Sequence, residues 1–166
     1  PWAIVQKNPC CFPQFSLNYR GHTWSQRNPM PDLQHFPRLG ASACVWKAGK
    51  VLLVQRAKAP VGLWSLPGGQ VERGETALAA AERELLEETG ITARLSAFVG
   101  LYEIIRQDPP FHYAIACYGG FWTAGKATAS SDALAARWEA PDELDSLEFA
   151  PQVREAIARA QALLGV

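Results

Sequence analysis

Residues 68–91 read GGQVERGETALAAAERELLEETGI, and both the fold and the chemistry of the chain turn on this stretch. From Thr76 to Thr89 it is rich in Ala, Leu and Glu and holds no proline or glycine, and Gly90 follows. That composition predicts a helix ended by a glycine stop. The stretch carries six acidic residues, and Glu84, Glu87 and Glu88 stand at i, i+3 and i+4, which puts three carboxylates on one helical face. Leu78, Ala81 and Leu85 form a second stripe about 100° around the axis, expected to dock on a sheet. Like charges so spaced repel, raising carboxylate pKa values and weakening the helix unless a cation intervenes. Hard divalent ions such as Mg²⁺ suit these oxygen donors, although a Glu-rich face can also simply be solvated. Gly68-Gly69 favours the first reading, because a pair without side chains lets backbone approach a ligand closely. Arg83 can neutralise and orient neighbours such as Glu75 or Glu87.

Outward from this stretch the pattern alternates between strand and helix. Ala41–Lys47 and Val51–Arg56 are β-rich runs joined by Ala48-Gly49-Lys50, a hairpin signal. A loop rich in proline and glycine is expected from Ala57 to Gly69. Two long strands are expected at Ile91–Arg106 and Phe111–Thr123, joined around Asp108-Pro109-Pro110, with a short one at Ala135–Glu139. Pro141 opens a helical turn through Leu144, and Pro151 sits where a last helix should start, ending near Leu164. This order predicts an α/β fold in which helices cover a mixed sheet.

The chain has 166 residues, 48% of them hydrophobic, with 16 basic and 16 acidic side chains. That length suits one domain with a substantial core. The neutral balance argues against a nucleic-acid partner bound by bulk electrostatics, and no apolar run approaches the roughly 20 residues needed to span a membrane. Residues 1–38 hold Lys7, Arg20, Arg27 and Arg38 against Asp32 alone, so they are basic while residues 39–166 are acidic. They are also proline-rich, with aromatics at no regular period, and read as an irregular extension ahead of a domain at 39–166. The only methionine is Met30 and residue 1 is proline. Natural translation from Met30, with 1–29 foreign, and a genuine extension are both open readings. Cys10, Cys11, Cys44 and Cys117 show neither metal-site nor disulfide-framework spacing, which suits reduced thiols in the cytoplasm.

The stretch beginning at Gly69 resembles the signature of the Nudix hydrolases, GX5EX7REUXEEXGU. Gly69 is followed by five residues and Glu75, then by seven residues and Arg83-Glu84-Leu85-Leu86-Glu87-Glu88-Thr89-Gly90-Ile91. At residue frequencies near 7%, seven fixed matches arise by chance on the order of 10⁻⁸ per starting position. The resemblance implies a Nudix-type α/β/α sandwich with a mixed β-sheet. It further implies Mg²⁺-dependent hydrolysis, with Mn²⁺ able to substitute, of a nucleoside diphosphate linked to another group. By motif position Glu84, Glu87, Glu88 and the Gly69 carbonyl would hold metal, while Glu75 and Arg83 orient the cluster. The general base is left open among Glu84, Glu87, Glu88, Glu103 and Asp132, the last resembling the late acidic residue of MutT-like members.

Arg56 and Lys58 leave the second strand just before the glycine loop, where cations can meet a phosphate. Gly68, Tyr102 and Arg106 are further candidates for substrate contact, with His112 and Tyr113 on the same strands. Trp64, in GLWSLPGG (62–69), resembles the family's GxWxLPGG lead-in, where the ring packs the loop. The tail resembles the ADP-ribose-pyrophosphatase-like branch, although Pro109 and Pro110 fall later than the proline of ADP-ribose hydrolases. Asp108 stands where diadenosine-polyphosphate hydrolases carry tyrosine, and the motif linked with NADH hydrolysis is missing. The expected substrate is ADP-ribose or a nucleotide sugar. An oxidised nucleoside triphosphate is the alternative, and a non-catalytic metabolite sensor is a third reading. A small-molecule nucleotide is thus the expected partner, and a homodimer would fit the family.

Overall fold

The computed structural model describes residues 36–108, 110–130 and 133–166. Met30, the first two cysteines and Asp132 therefore lie outside the described residues. The described chain runs β1 (Arg38–Lys47), β2 (Lys50–Arg56), β3 (Trp64–Ser65), β4 (Gly68–Gln70), α1 (Ala77–Thr89), β5 (Thr92–Gln107), β6 (Pro110–Ala124), β7 (Ala133–Glu139), a 3-10 turn (Pro141–Ser146) and α2 (Val153–Leu164). The strands form one seven-stranded sheet with the main path β3-β2-β1-β6-β5; β4 pairs with β1 and β7 with β2. β1 and β6 run parallel, from Arg38 opposite Tyr113 to Trp46 opposite Phe121, while the other pairs are antiparallel. The sheet is mixed, as expected.

Period-two alternation along β1 builds a core on each side. Ala41, Ala43 and Val45 pack with Leu52 and with Ala80, Ala81 and Leu85 of α1. Cys44 and Trp46 pack with Leu53, Val99 and Cys117 and with Val153, Ala156, Ile157 and Ala160 of α2. Helices thus cover opposite faces. Burying a side chain such as Leu85 contributes about 1.5–3 kcal/mol of transfer free energy.

Three expectations need correcting. The docking stripe of α1 is Ala80, Ala81, Leu85 and Thr89, whereas Leu78 in the first turn is 37% exposed. Small alanines on helix and strand allow a close approach there, leaving the bulkier first-turn leucine outside. The loop from Ala57 to Gly69 contains β3 and the start of β4, two strands too short to carry a periodic signal. Their pairing comes from distant partners, Gln55↔Trp64 on one side and Ala41↔Gly69 on the other. α2 begins at Val153 with Gln152 as its N-cap, so Pro151 precedes the cap rather than opening the first turn. The β1–β2 hairpin turns through Ala48 and Gly49, both at positive φ, the geometry a two-residue hairpin of the I′ type requires.

Candidate active site

α1 starts at Thr76, whose hydroxyl accepts from the Ala79 N–H at 3.1 Å. It stops at Gly90, where φ is 68° and the N–H donates to the Leu86 carbonyl. Between these caps Arg83 gathers the acidic face. Its guanidinium donates to Glu75 at 2.7 Å, to Glu84 at 2.8 Å, to Glu87 at 3.1 Å and to the Gln70 carbonyl at 3.0 Å. The sequence allowed Arg83 to serve Glu75 or Glu87; it serves both, and Glu84 as well. Hydrogen bonds from Arg83, and one from the Glu72 N–H, hold the Glu75 carboxyl below the ordinary glutamate range. The same carboxylates, Glu75 first, drive the Arg83 pKa still higher, so this cation stays charged.

The glycine strand supplies the other wall. Val71 N–H donates to the Leu39 carbonyl and Ala43 N–H to that of Pro67, both at 2.9 Å, which pins β4 to β1. A β-carbon on Gly68 would overlap the Ala41 carbonyl and stand 2.7 Å from Ser42 Cα; one on Gly69 would overlap the Glu84 carboxylate. Gly68, set against backbone, therefore requires glycine, whereas at Gly69 the Glu84 carboxylate would have to move aside. Gly68 N–H donates to Glu88 Oε2 at 3.0 Å. Glu84 is 16% exposed and Glu87 59%, so the three acids are not equivalent. Glu84 and Glu88 face the glycine strand and Glu87 stands outward.

One cavity of about 870 Å³ joins these groups to the rest of the candidate set. It is lined by Gly68, Gly69, Glu84 and Glu88 and also by Arg56, Lys58, Tyr102 and Arg106. Arg56 Nη2 donates to the Ala59 carbonyl at 2.9 Å, and its buried Nε has no hydrogen-bond partner among the described residues. Arg106 covers the Phe111 ring at 4.8 Å. Strand alternation sorts the remaining candidates. Tyr102, Ile104 and Arg106 on β5 and Phe111, Tyr113 and Ile115 on β6 line the cavity. Glu103 and His112, one residue out of phase, pair with each other at 3.0 Å. Trp64 is buried in the core on the α2 side, under the Arg137 guanidinium at 4.3 Å, which agrees with a packing role. Of the segment around Asp132, Ser130 N–H donates to the Glu88 carbonyl at 3.2 Å and Ala133 lines the cavity. Phe111 and Gln152 line it too and were not singled out in the sequence.

The donor chemistry fits a hard divalent ion. Glu84 and Glu88 offer carboxylate oxygens on the cavity wall beside the glycine backbone, a set suited to Mg²⁺. Among the described residues no three His, Cys, Asp or Glu side chains converge as a ready cage. Arg83 and the Gly68 N–H engage the carboxylates instead.

A mixed sheet between two helices, with an acidic helix set against a glycine strand, defines a Nudix-type domain. Residues 36–160 match the family model described as NUDIX domain, and the chain belongs to the Nudix hydrolase family. It is 31% identical over 142 residues to an ADP-ribose pyrophosphatase of Methanocaldococcus jannaschii, covering 81% of this chain and 84% of that one. Over 96 residues, 57% of this chain, it is 44% identical to a Bacillus subtilis (strain 168) protein provisionally named an 8-oxo-dGTP diphosphatase; the match spans 60% of that relative's length. The crystal structure of a MutT Nudix hydrolase from Burkholderia pseudomallei superposes with a TM-score of 0.69 at 28% identity, covering 75% of this chain and 98% of that one. Among the described residues no helix is long and apolar enough to cross a membrane.

Proposed function

We propose that the chain hydrolyses the diphosphate bond of a nucleoside diphosphate linked to a further group, with ADP-ribose or a nucleotide sugar as substrate and Mg²⁺ as cofactor. One observation carries this reading. A single cavity holds the carboxylates of Glu84 and Glu88 at the glycine strand and the cations Arg56, Lys58 and Arg106 elsewhere on its lining. A diphosphate needs both, a metal-binding edge at the reacting phosphorus and cations for its remaining negative charge. Glu84, Glu87, Glu88 and the Gly69 carbonyl would hold the ion, which when bound neutralises phosphate charge and acidifies water.

The chain's own groups do the rest. Arg83 orients Glu84 and Glu87, the Gly68 N–H orients Glu88, and Glu75 fixes Arg83 from the far side. Arg56 and Lys58 bind an anionic end of the substrate. A carboxylate free of the ion takes the proton of the attacking water, with Glu84, Glu87, Glu88 and Asp132 as the candidates. The Methanocaldococcus relative, matched over most of both chains, supports ADP-ribose. The Bacillus relative supports the second reading, a pyrophosphohydrolase of oxidised nucleoside triphosphates. Buried free thiols at Cys44 and Cys117 are in keeping with the reducing cytoplasm.

Product analysis over a substrate panel tests the proposal. AMP plus ribose 5-phosphate from ADP-ribose supports the first reading. Nucleoside monophosphate plus pyrophosphate from an oxidised triphosphate supports the second. Tight ADP-ribose binding with no turnover of any substrate would make the domain a sensor and overturn both.

A further inference from the structure

Residues 57–63 join β2 to β3, and the first half of this loop, Ala57 to Pro60, lines the cavity, while Val61 is 62% exposed. The backbone closes the loop at its neck. Arg56 N–H donates to the Leu63 carbonyl at 3.0 Å, and Gly62 N–H donates to the Arg56 carbonyl at 2.9 Å. Two side chains at the end of β2 then grip the loop itself. Arg56 Nη2 donates to the Ala59 carbonyl and Gln55 Nε2 to the Gly62 carbonyl, each at 2.9 Å.

Nothing in the packing of β2 calls for glutamine at position 55. By period two it follows Val51 and Leu53, both buried in the core on the α2 side, so an apolar side chain would continue their stripe. A partly buried amide costs desolvation unless it is bonded, and the bond Gln55 makes goes to the loop. Gln55 also stands at a bulge, since it faces Ala135 of β7 while Arg56 faces Ala133. Bulges beside active sites re-aim the chain that follows them, here the chain that carries Lys58 to the cavity.

We infer that Gln55 is a positioning residue: it fixes the 57–63 loop so that Lys58 is held at the cavity before substrate arrives. The inference rests on the nucleotide-hydrolase reading and adds the residue that keeps one of its cations in place. A cation ordered in advance lowers the ordering cost of binding, so the effect of Gln55 falls on substrate binding and not on the chemical step.

Q55M tests this, because methionine keeps the length and continues the apolar stripe while removing the donor. Urea resistance should match wild type. Amide hydrogen exchange, followed by nuclear magnetic resonance without substrate, should quicken about three- to tenfold at Arg56 and Gly62, the effect of one lost hydrogen bond. With Mg²⁺ and ADP-ribose, or 8-oxo-dGTP if only that is turned over, Q55M should raise KM about three- to tenfold and leave kcat within a factor of two. The double variant Q55M/K58A should stay within a factor of two of K58A alone, because a cation already removed cannot be misplaced. Wild-type exchange rates in Q55M would overturn the inference, as would an unchanged KM, a fall in kcat alone, or effects that multiply in the double variant. A chain that hydrolyses nothing would sink the proposed activity, and the exchange rates would still decide whether Gln55 holds the loop.

Discussion

Replacing Gly69 by alanine separates a glycine needed for the site from one needed for the fold. A β-carbon at Gly69 would lie 2.7 Å from Glu84 Oε2 and closer still to the rest of that carboxylate. Ordinary contact is about 3.5–4 Å, so the carboxylate must retreat by about 1 Å. It can, because it is the end of a flexible side chain. The retreat weakens the 2.8 Å pairing with Arg83, whose partners are 25% and 16% exposed, and a pair that accessible is worth about 1 kcal/mol at most. A 1 Å misplacement of a catalytic group, by contrast, costs about 10²-fold in rate. Gly68→Ala reverses the balance. There the added carbon meets the Ala41 carbonyl and stands 2.7 and 2.8 Å from Ser42 Cα and Cβ, atoms of the central strand that have nowhere to go. Overpacking against fixed backbone costs about 1–3 kcal/mol or more.

Urea denaturation and steady-state kinetics on the two variants, with Mn²⁺ binding followed by electron paramagnetic resonance, read both outcomes. Gly69→Ala should unfold within about 1 kcal/mol of wild type, lose about 10²-fold in kcat/KM and bind Mn²⁺ about tenfold or more weakly. Gly68→Ala should show the larger stability loss. If Gly69→Ala keeps kcat/KM within a factor of three, the position of Glu84 does not matter to the reaction. If Gly68→Ala unfolds at the wild-type urea concentration, β4 does not lie against β1 as described.

Glu88→Gln keeps an acceptor for the Gly68 N–H but removes the charge, so circular dichroism should be unchanged while kcat falls about 10²–10⁴-fold; turnover near wild type would remove Glu88 from the chemistry. Glu75 titrates below its ordinary value because of Arg83, so its contribution to stability is complete above the unfolded-state pKa and is lost as pH falls through the depressed folded value. Arg83→Ala should therefore flatten the acid limb of a Tm-against-pH curve below the ordinary glutamate value of about 4.5, and an unchanged limb would deny the pairing. Burial raises both described thiols, Cys117 to about 11 and Cys44 in the same direction. Mass spectrometry at pH 8 should find neither alkylated until urea unfolds the chain, and rapid native labelling of either would contradict the packing of β1 against β6.

Most of the architecture was legible because strong local signals agreed with the tertiary outcome. The Thr76–Gly90 helix carried its composition, its cap and its stop within one stretch, and the Ala48-Gly49 turn sits between two β-rich runs. What escaped was set by distant partners. β3 and β4 lie in a segment whose prolines and glycines say loop, and only pairing with β2 and β1 makes them strands. The docking stripe of α1 was misjudged at Leu78 because the wheel ignores how closely Ala41 and Ala43 let Ala80 and Ala81 approach. Within the site, spacing placed Glu84, Glu87 and Glu88 on a common face but could not rank their burial, which depends on Gly69 lying over Glu84. Gln152 carries no motif and belongs to the site only because α2 begins at the cavity.

Arg83 connects the fold to the chemistry. Three glutamates on one helical face repel, and a resident cation relieves that repulsion. Arg83 fills that need with a planar fork that reaches Glu75, Glu84, Glu87 and the Gln70 carbonyl at once, a geometry that a lysine ammonium cannot reproduce. A divalent ion at Glu84 and Glu88, as proposed, would not have to displace the whole network. Glu75 and the Gln70 carbonyl would still retain the guanidinium, while the other carboxylates could be shared between guanidinium and metal. The same four contacts that stabilise the helix without metal therefore hold the carboxylates within reach of one. This explains why an arginine stands inside the acidic run.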